Sequence, residues 1–372
     1  MNPLQQLQTC GQSPWLDHLK RSFTEQGGLR ALIARDGLKG VTSNPAIFEK
    51  AIAQSDEYAE AIEDFLAKGD HEVADIYEHL AVADIRAAAD ALGSVYRETQ
   101  KRDGYVSLEC SPYLANDTEA TVAEALRLWN TVQRANLMIK VPATPAGLPA
   151  IRRLIATGAN VNVTLLFSVD MYEQAAEAYI AGLEALLRDG GDVSRVASVA
   201  SFFVSRIDTE VDKRLDALAD PEAQDLRGKA AIANAKIAYQ RYEALFSGPR
   251  WQALAQAGAR TQRLLWASTG VKNPAYKDTT YVEELIGPDT VNTMPPATMD
   301  AFRDHGEIKP DAIRRDVEGA KAILAALSAR GVSLDEITGA LLVDGVRLFA
   351  DAFDKLFAAL EKSRAALRQA AG

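Results

Sequence analysis

The sequence predicts an α/β protein built as a (β/α)8 TIM barrel with additional helices, namely an insertion after the second strand and a helical C-terminal tail. Three observations lead there. Eight short, mostly apolar strand-like runs alternate with helical stretches, the spacing of a parallel sheet with crossover helices. Polar or charged side chains recur at the C-terminal ends of those runs, where a barrel gathers its reactive groups. No G-x-G-x-x-G or G-x-x-x-x-G-K-[ST] follows any run, so the competing open, doubly wound sheet lacks a nucleotide cradle to organise it. The expectation is a single barrel domain over residues 1–372, with the insertion at 46–102 and C-terminal helices at 311–366 packed on it.

Taken in order, Pro3 sits at the first position of a short helix that Gly11 ends. The first strand, 14–17, finishes in Asp17. A charge-rich helical region runs to Asp36, and Gly37 and Gly40 bracket the turn into the second strand, Val41 and Thr42, with Ser43 and Asn44 at its tip and Pro45 opening a helix. Over 46–102 apolar residues recur at three-four spacing, among them Ile62, Phe65, Ile76, Leu80 and Ile85, with a helix break near Gly69 and Asp70. The turn Asp103-Gly104 introduces the third strand, 105–110, which carries Glu109 near its end.

An amphipathic helix at 117–133 leads to the fourth strand, where Lys140 interrupts the run Leu137, Met138, Ile139 and is followed by Val141 and Pro142. A helix at 148–157 stops at Gly158. In the fifth strand, 161–166, Asn162 and Thr164 alternate with apolar neighbours and therefore share a face. Ser168 caps a helix to Arg188, and the sixth strand, 196–203, contains Ser201 and leads to Arg206. A long helical stretch, 208–258, breaks at Asp220-Pro221 and Gly248-Pro249. The seventh strand, 264–268, ends in Ser268; a short helix near Tyr281 precedes the eighth, 290–294, which Pro295-Pro296 closes. The tail reads as one helix at 311–329 and a second, opened by the capping box Ser333 to Glu336, running to about Ala366 with an apolar stripe that includes Phe349, Phe353 and Phe357.

A net charge of -10 disfavours nucleic acid or an anionic membrane as partner, while a local group of cations can still hold a small anionic substrate. Cys10 and Cys110 have no paired spacing and the four histidines are scattered, which points to a reducing, cytoplasmic setting and to no metal site. No basic stretch precedes an apolar one at the N-terminus, and no apolar run approaches about 18 residues. Oligomeric state is left open.

Lys140 carries the chemistry. An ammonium in an apolar run must reach solvent, pair with a carboxylate, or sit neutral in a cleft; in the last case it is a nucleophile able to form a Schiff base that draws electrons from a neighbouring C–C bond. Its bland alternative is a strand-end lysine with packed stem and wet head. Asp17, Asn44 and Arg206 likewise have bland readings as a helix cap, an Asx-turn and a surface ion pair. Together these residues describe a polar ring around one lysine.

The segments GVTSNPAIF, LMIKVPATPAGLPAI, NVNVTLLFS, SFFVSRID, LLWASTGVKNPAY and VNTMPPATMDAF, in this order, resemble transaldolase in its longer bacterial form over nearly the whole chain. The resemblance implies a class I aldolase-type transfer of dihydroxyacetone between sugar phosphates, without metal or other cofactor. By it, Lys140 matches the Schiff-base lysine, Asp17 the acid/base residue, and Glu109 with Thr164 the pair that holds a catalytic water. Asn44, Asn162 and Ser201 match residues that bind the dihydroxyacetone unit, and Arg206 and Ser268 match the phosphate site. Shorter members carry a cation where this chain has Gly270, so Lys272 is the nearest substitute. Glu109 and Phe203 favour transfer over free aldol cleavage, since relatives that cleave without transfer tend to carry Gln and Tyr there. A fructose-6-phosphate aldolase-like enzyme and an inactive sugar-phosphate-binding barrel are the alternatives.

Overall fold

Strands shielded on both faces suit a parallel sheet that is covered outside by helices and filled inside by side chains, and here all eight are buried almost throughout. The computed structural model describes residues 1–372 except Gln54, Asp70, Ala219 and Gly372. The strands are β1 (Gln12–Asp17), β2 (Gly40–Thr42), β3 (Tyr105–Glu109), β4 (Leu137–Pro142), β5 (Val161–Leu166), β6 (Ser198–Phe203), β7 (Arg263–Ala267) and β8 (Thr290–Met294). They pair in sequence order into a closed barrel, with β1 meeting β8 in parallel from Gln12↔Thr290 to Leu16↔Met294. The predicted fold class is therefore the observed one.

The helices follow the strands in turn. α1 (Pro3–Thr9) precedes β1, with a capping box between Asn2 and Gln5. α2 (Arg21–Glu25) and α3 (Gly28–Asp36) lie between β1 and β2; α4 (Pro45–Phe48), α5 (Ala59–Leu66), α6 (Val73–Ala91) and α7 (Gly93–Glu98) lie between β2 and β3. α8 (Thr118–Val132), α9 (Gly147–Ala156) and α10 (Val169–Arg188) are the next three crossovers. α11 (Ser205–Asp216), α12 (Ala230–Leu245) and α13 (Pro249–Gln256) connect β6 to β7, and α14 (Thr280–Glu283) precedes β8. α15 (Pro296–His305), α16 (Val317–Ala329) and α17 (Leu334–Ala371) complete the chain. Within 46–102, α6 docks on both β3 and α17, and α4, the π-helical turn Glu49–Ala53 and α5 also pack against α17. Of the expected break near Gly69 and Asp70, Asp70 lies outside the described residues.

Boundaries shift where polar residues mask an element. β1 starts at Gln12, because Gln12 and Ser13 face partners at the barrel base: Gln12 Nε2 donates to Leu285 O at 2.8 Å, and Ser13 Oγ to Asp103 at 2.8 Å. β6 starts at Ser198, since Val193–Arg195 forms a 3-10 turn that Asp192 caps. The helix expected at 311–329 is a 3-10 turn, Ala312–Arg314, followed by α16, with Asp316 breaking the path at φ 51°. α15 was not anticipated: Pro296 does not merely stop β8 but occupies the first turn of a helix. α17 runs past Ala366 to Ala371.

At the base, Arg263 pairs with Asp103 at 2.8 Å and donates to Ser13 Oγ at 2.9 Å, while Trp15 Nε1 donates to Asp103 at 3.2 Å. Burial pushes the Asp103 carboxyl up, but the Arg263 guanidinium and these hydrogen bonds hold it below its usual range. This paired plug closes one end of the barrel and leaves the other for chemistry. No helix among the described residues is long and apolar enough to cross a membrane.

Candidate active site

Lys140 stands in β4 with Glu109 opposite it in β3 and Asn162 opposite it in β5, so register alone sets the three side by side. Its Nζ lies 3.2 Å from Glu109 Oε2 and donates to Ser43 O at 3.0 Å. Lys140 is 4 % exposed and Glu109 8 %, so the amine is not the solvated strand-end lysine of the bland reading. Burial raises the Glu109 pKa, against the lowering field of Lys140.

In front of the amine opens a cavity of about 540 Å³ at the C-terminal ends of the strands. Eight of the residues expected from the sequence line it: Asp17, Asn44, Lys140, Thr164, Ser201, Arg206, Ser268 and Lys272. Glu109 and Asn162 stand behind its wall. Asn162 is held from both sides, with Nδ2 donating to Ser107 Oγ at 3.0 Å and Oδ1 accepting from Ser201 Oγ at 2.6 Å. This chain holds the amide in place between two serine hydroxyls and positions Ser201, which lines the cavity, as a polar contact.

Asp17, at the tip of β1, accepts from Thr42 Oγ1 at 2.6 Å, and Thr42 in turn meets Thr293 Oγ1 at 2.8 Å. Burial raises the Asp17 pKa; the Thr42 hydrogen bond and the charges of Lys140, His18 and Arg206 oppose the rise. A carboxyl so placed is suited to gain and lose a proton during turnover. Asn44 caps α4 by accepting from Ile47 N at 3.0 Å, so its bland role is realised while its side chain still borders the cavity.

Cations gather at the far end. Arg206 lies 5.4 Å over the Phe203 ring, and burial lowers its pKa. Ser268, at φ 55°, has its hydroxyl 2.9 Å from Ser205 Oγ. A β-carbon on Gly270 would sit 3.9 Å from Lys272 Nζ, so the lysine folds back toward the space that a side chain at 270 would claim. One guanidinium and one ammonium thus line the same cavity, chemistry that suits an anion.

Thr164 Oγ1 is buried without a hydrogen-bond partner among the described residues. Just after it β5 bulges: its register with β6 shifts between Val163 and Leu166, and Leu165 takes φ 58°. α17 crosses this bulge at Gly345, where a β-carbon would come within 2.8 Å of the Leu165 side chain. One turn later Phe349 lies over the site, its ring 5.9 Å from Lys140 Nζ. The tail stripe thus packs on the barrel and also roofs the lysine.

Sequence reasoning missed Thr42, Thr293 and Phe349. A hydroxyl at the end of β2 and another one residue inside the end of β8 were the available signals for the threonines; a helical stripe carries none about which strand end it covers. Among the described residues no group of three or more His, Cys, Asp or Glu is placed to hold a metal ion.

Residues 14–360 match the family described as Transaldolase/Fructose-6-phosphate aldolase. The chain is 52% identical over 355 residues to a transaldolase of Thermobifida fusca, covering 95% of this chain and 96% of that one. It is 50% identical over 355 residues to a transaldolase of Frankia alni, covering 95% of each, and 47% identical over 371 residues to one of Trichodesmium erythraeum, covering 97% of each. With a lysine and carboxylate paired at the mouth of a closed eight-stranded barrel and this similarity along its length, the chain belongs to the transaldolase/fructose-6-phosphate aldolase family.

Proposed function

We propose that the protein is a transaldolase that moves a dihydroxyacetone unit from a ketose phosphate, such as sedoheptulose 7-phosphate or fructose 6-phosphate, to an aldose phosphate, such as glyceraldehyde 3-phosphate or erythrose 4-phosphate, in the manner of the pentose phosphate pathway. The observation that carries this reading is the buried Lys140 Nζ, 3.2 Å from Glu109 Oε2, at the head of a cavity that also holds Asp17 and Arg206. Passing its proton to Glu109 frees the amine to attack the ketone carbon. Glu109 and Thr164 then hold the water through which the carbinolamine loses its hydroxyl; the unpartnered Thr164 Oγ1 supports that role.

With the imine formed, Asp17 takes the proton of the hydroxyl beyond the breaking bond. The C–C electron pair moves into the iminium, the aldose phosphate leaves, and a three-carbon enamine stays on Lys140. Asn44 and Ser201, the latter braced by Asn162, hold its hydroxyls until an acceptor aldehyde arrives and the steps reverse. Arg206, Ser268 and Lys272 bind the phosphate of donor and acceptor in turn, which lets one anion site serve both half-reactions.

Phe203 on the cavity wall and Glu109 on β3 favour transfer over release of free dihydroxyacetone. In this reading the chain works as one barrel domain whose extra helices cover the site, needs no metal or other cofactor, and acts in the cytoplasm, where the free Cys10 and Cys110 stay reduced. Borohydride reduction in the presence of fructose 6-phosphate tests the proposal. Mass spectrometry should find a three-carbon adduct on Lys140, and turnover should require erythrose 4-phosphate; an adduct elsewhere, or none, removes the mechanism.

A further inference from the structure

We propose that the water used and released at Lys140 exchanges with solvent through a second cavity, behind Glu109, and that Tyr77 is a positioning residue for it. The inference rests on the imine reading of Lys140 and Glu109 given above. The second cavity, of about 270 Å³, lies between α6, α8 and α17 and is lined by Glu109, which does not line the substrate cavity. Glu109 thus borders this rear space as well as Lys140.

Its construction suits a water route. Its lining sets the polar Glu109, Ser111, Glu124 and Tyr77, partners a passing water needs, among the apolar Leu108, Leu128, Phe353 and Phe357. Tyr77 stands among them with Glu109, Glu124 and Glu78 around it; burial and those carboxylates raise its pKa, so the phenol stays a neutral hydroxyl that can both accept and donate. Its ring is fixed by Phe48 at 5.8 Å and Phe353 at 4.9 Å between centroids. Exposed Ala74 and the 54 % exposed Tyr113 mark the outer end.

The chemistry gives such a route a use. When the carbinolamine collapses, the C–O bond breaks and the C=N bond forms. The oxygen leaves as water after taking a proton from Glu109, the one that the ammonium first gave up. At that moment a ketose anchored by its phosphate at Arg206 and by its carbonyl carbon at Lys140 stands in the substrate cavity, between the amine and the open mouth. Water expelled toward Glu109 escapes rearward, and water for releasing the product enters the same way.

The test measures how fast the ketone oxygen of fructose 6-phosphate takes up label from 18O-water, beside the fraction of Lys140 trapped as imine and the KM. Ala74→Trp narrows the rear mouth; Tyr77→Phe keeps the ring and removes the hydroxyl. In both, label uptake per trapped imine should fall roughly tenfold at unchanged KM, because the expelled water returns before it escapes. Wild-type uptake in both variants overturns the proposal, and so does loss of imine trapping in both, which would make the rear cavity a support for the fold of the site. Glu109→Gln separates this from the underlying reading: unimpaired imine formation there would remove the Glu109 role itself, whatever the rear-cavity variants show.

Discussion

Replacing Lys140 with Met keeps the length of the side chain and removes its charge, which exposes what the amine does for its neighbour. Lys140 and Glu109 sit 3.2 Å apart at 4 % and 8 % exposure. Removing one member of such a pair costs about 3–5 kcal/mol as long as the survivor stays charged. Glu109 has an escape, because burial already raises its pKa and a proton from solvent can replace the lost ammonium. In the variant its folded-state pKa stands further above the unfolded value, about 4.3, so the penalty is absent below that pH and grows as pH rises toward the folded pKa. The difference from the parent should therefore be small near about pH 5 and approach about 3 kcal/mol near about pH 8. Urea unfolding followed by tryptophan fluorescence at the two pH values measures it. Lys140→Met/Glu109→Gln should differ from the parent by an amount that does not grow with pH, and neither variant should trap an imine. An equal loss for Lys140→Met at both pH values would refute the electrostatic argument.

Thr42→Val keeps shape and removes the hydrogen bond to Asp17, so the Asp17 pKa rises further and the acid limb of kcat/KM moves to higher pH. The rate at neutral pH should fall about ten- to a hundredfold, the worth of a charge-assisted hydrogen bond of about 1.5–3 kcal/mol; an unmoved limb would remove Asp17 as the base. Arg206→Ala should raise KM for fructose 6-phosphate by roughly tenfold or more while hardly changing that for unphosphorylated fructose, with Lys272→Ala acting in the same direction more weakly. Equal losses on both sugars would separate these cations from phosphate binding. Asp208, buried beside Tyr281 at 2.6 Å, has its pKa raised from 3.8 to about 6 by burial. A raised folded pKa weakens the fold as pH climbs through that window, by about 3 kcal/mol in all, so Asp208→Asn should flatten the fall in unfolding free energy between about pH 4 and 7. A curve parallel to that of the parent would count against the assignment.

Strand and helix periodicity, caps and turns act within a few residues of chain, and for that reason the eight strands, the Asn2, Ser168 and Ser333 caps and the polar strand tips were all readable in the sequence. The ends of β1 and β6 and the start of α15 were not, because Gln12 and Ser13 are strand-like only once Leu285 and Asp103 satisfy them, and Pro296 looks like a stop until the turn it opens is seen. In the same way the sequence alone placed a charged lysine in an apolar run and ten candidate site residues along the chain. Only the closed barrel decided that eight of them share one cavity, that Asp17 leans on Thr42 and Thr42 on Thr293, and that Phe349 arrives from the far end of the chain to roof Lys140. Those contacts join residues up to 251 positions apart. They depend on parallel register and on the bulge in β5 that lets α17 approach, and pairing between distant segments leaves no period in the local sequence from which to read it.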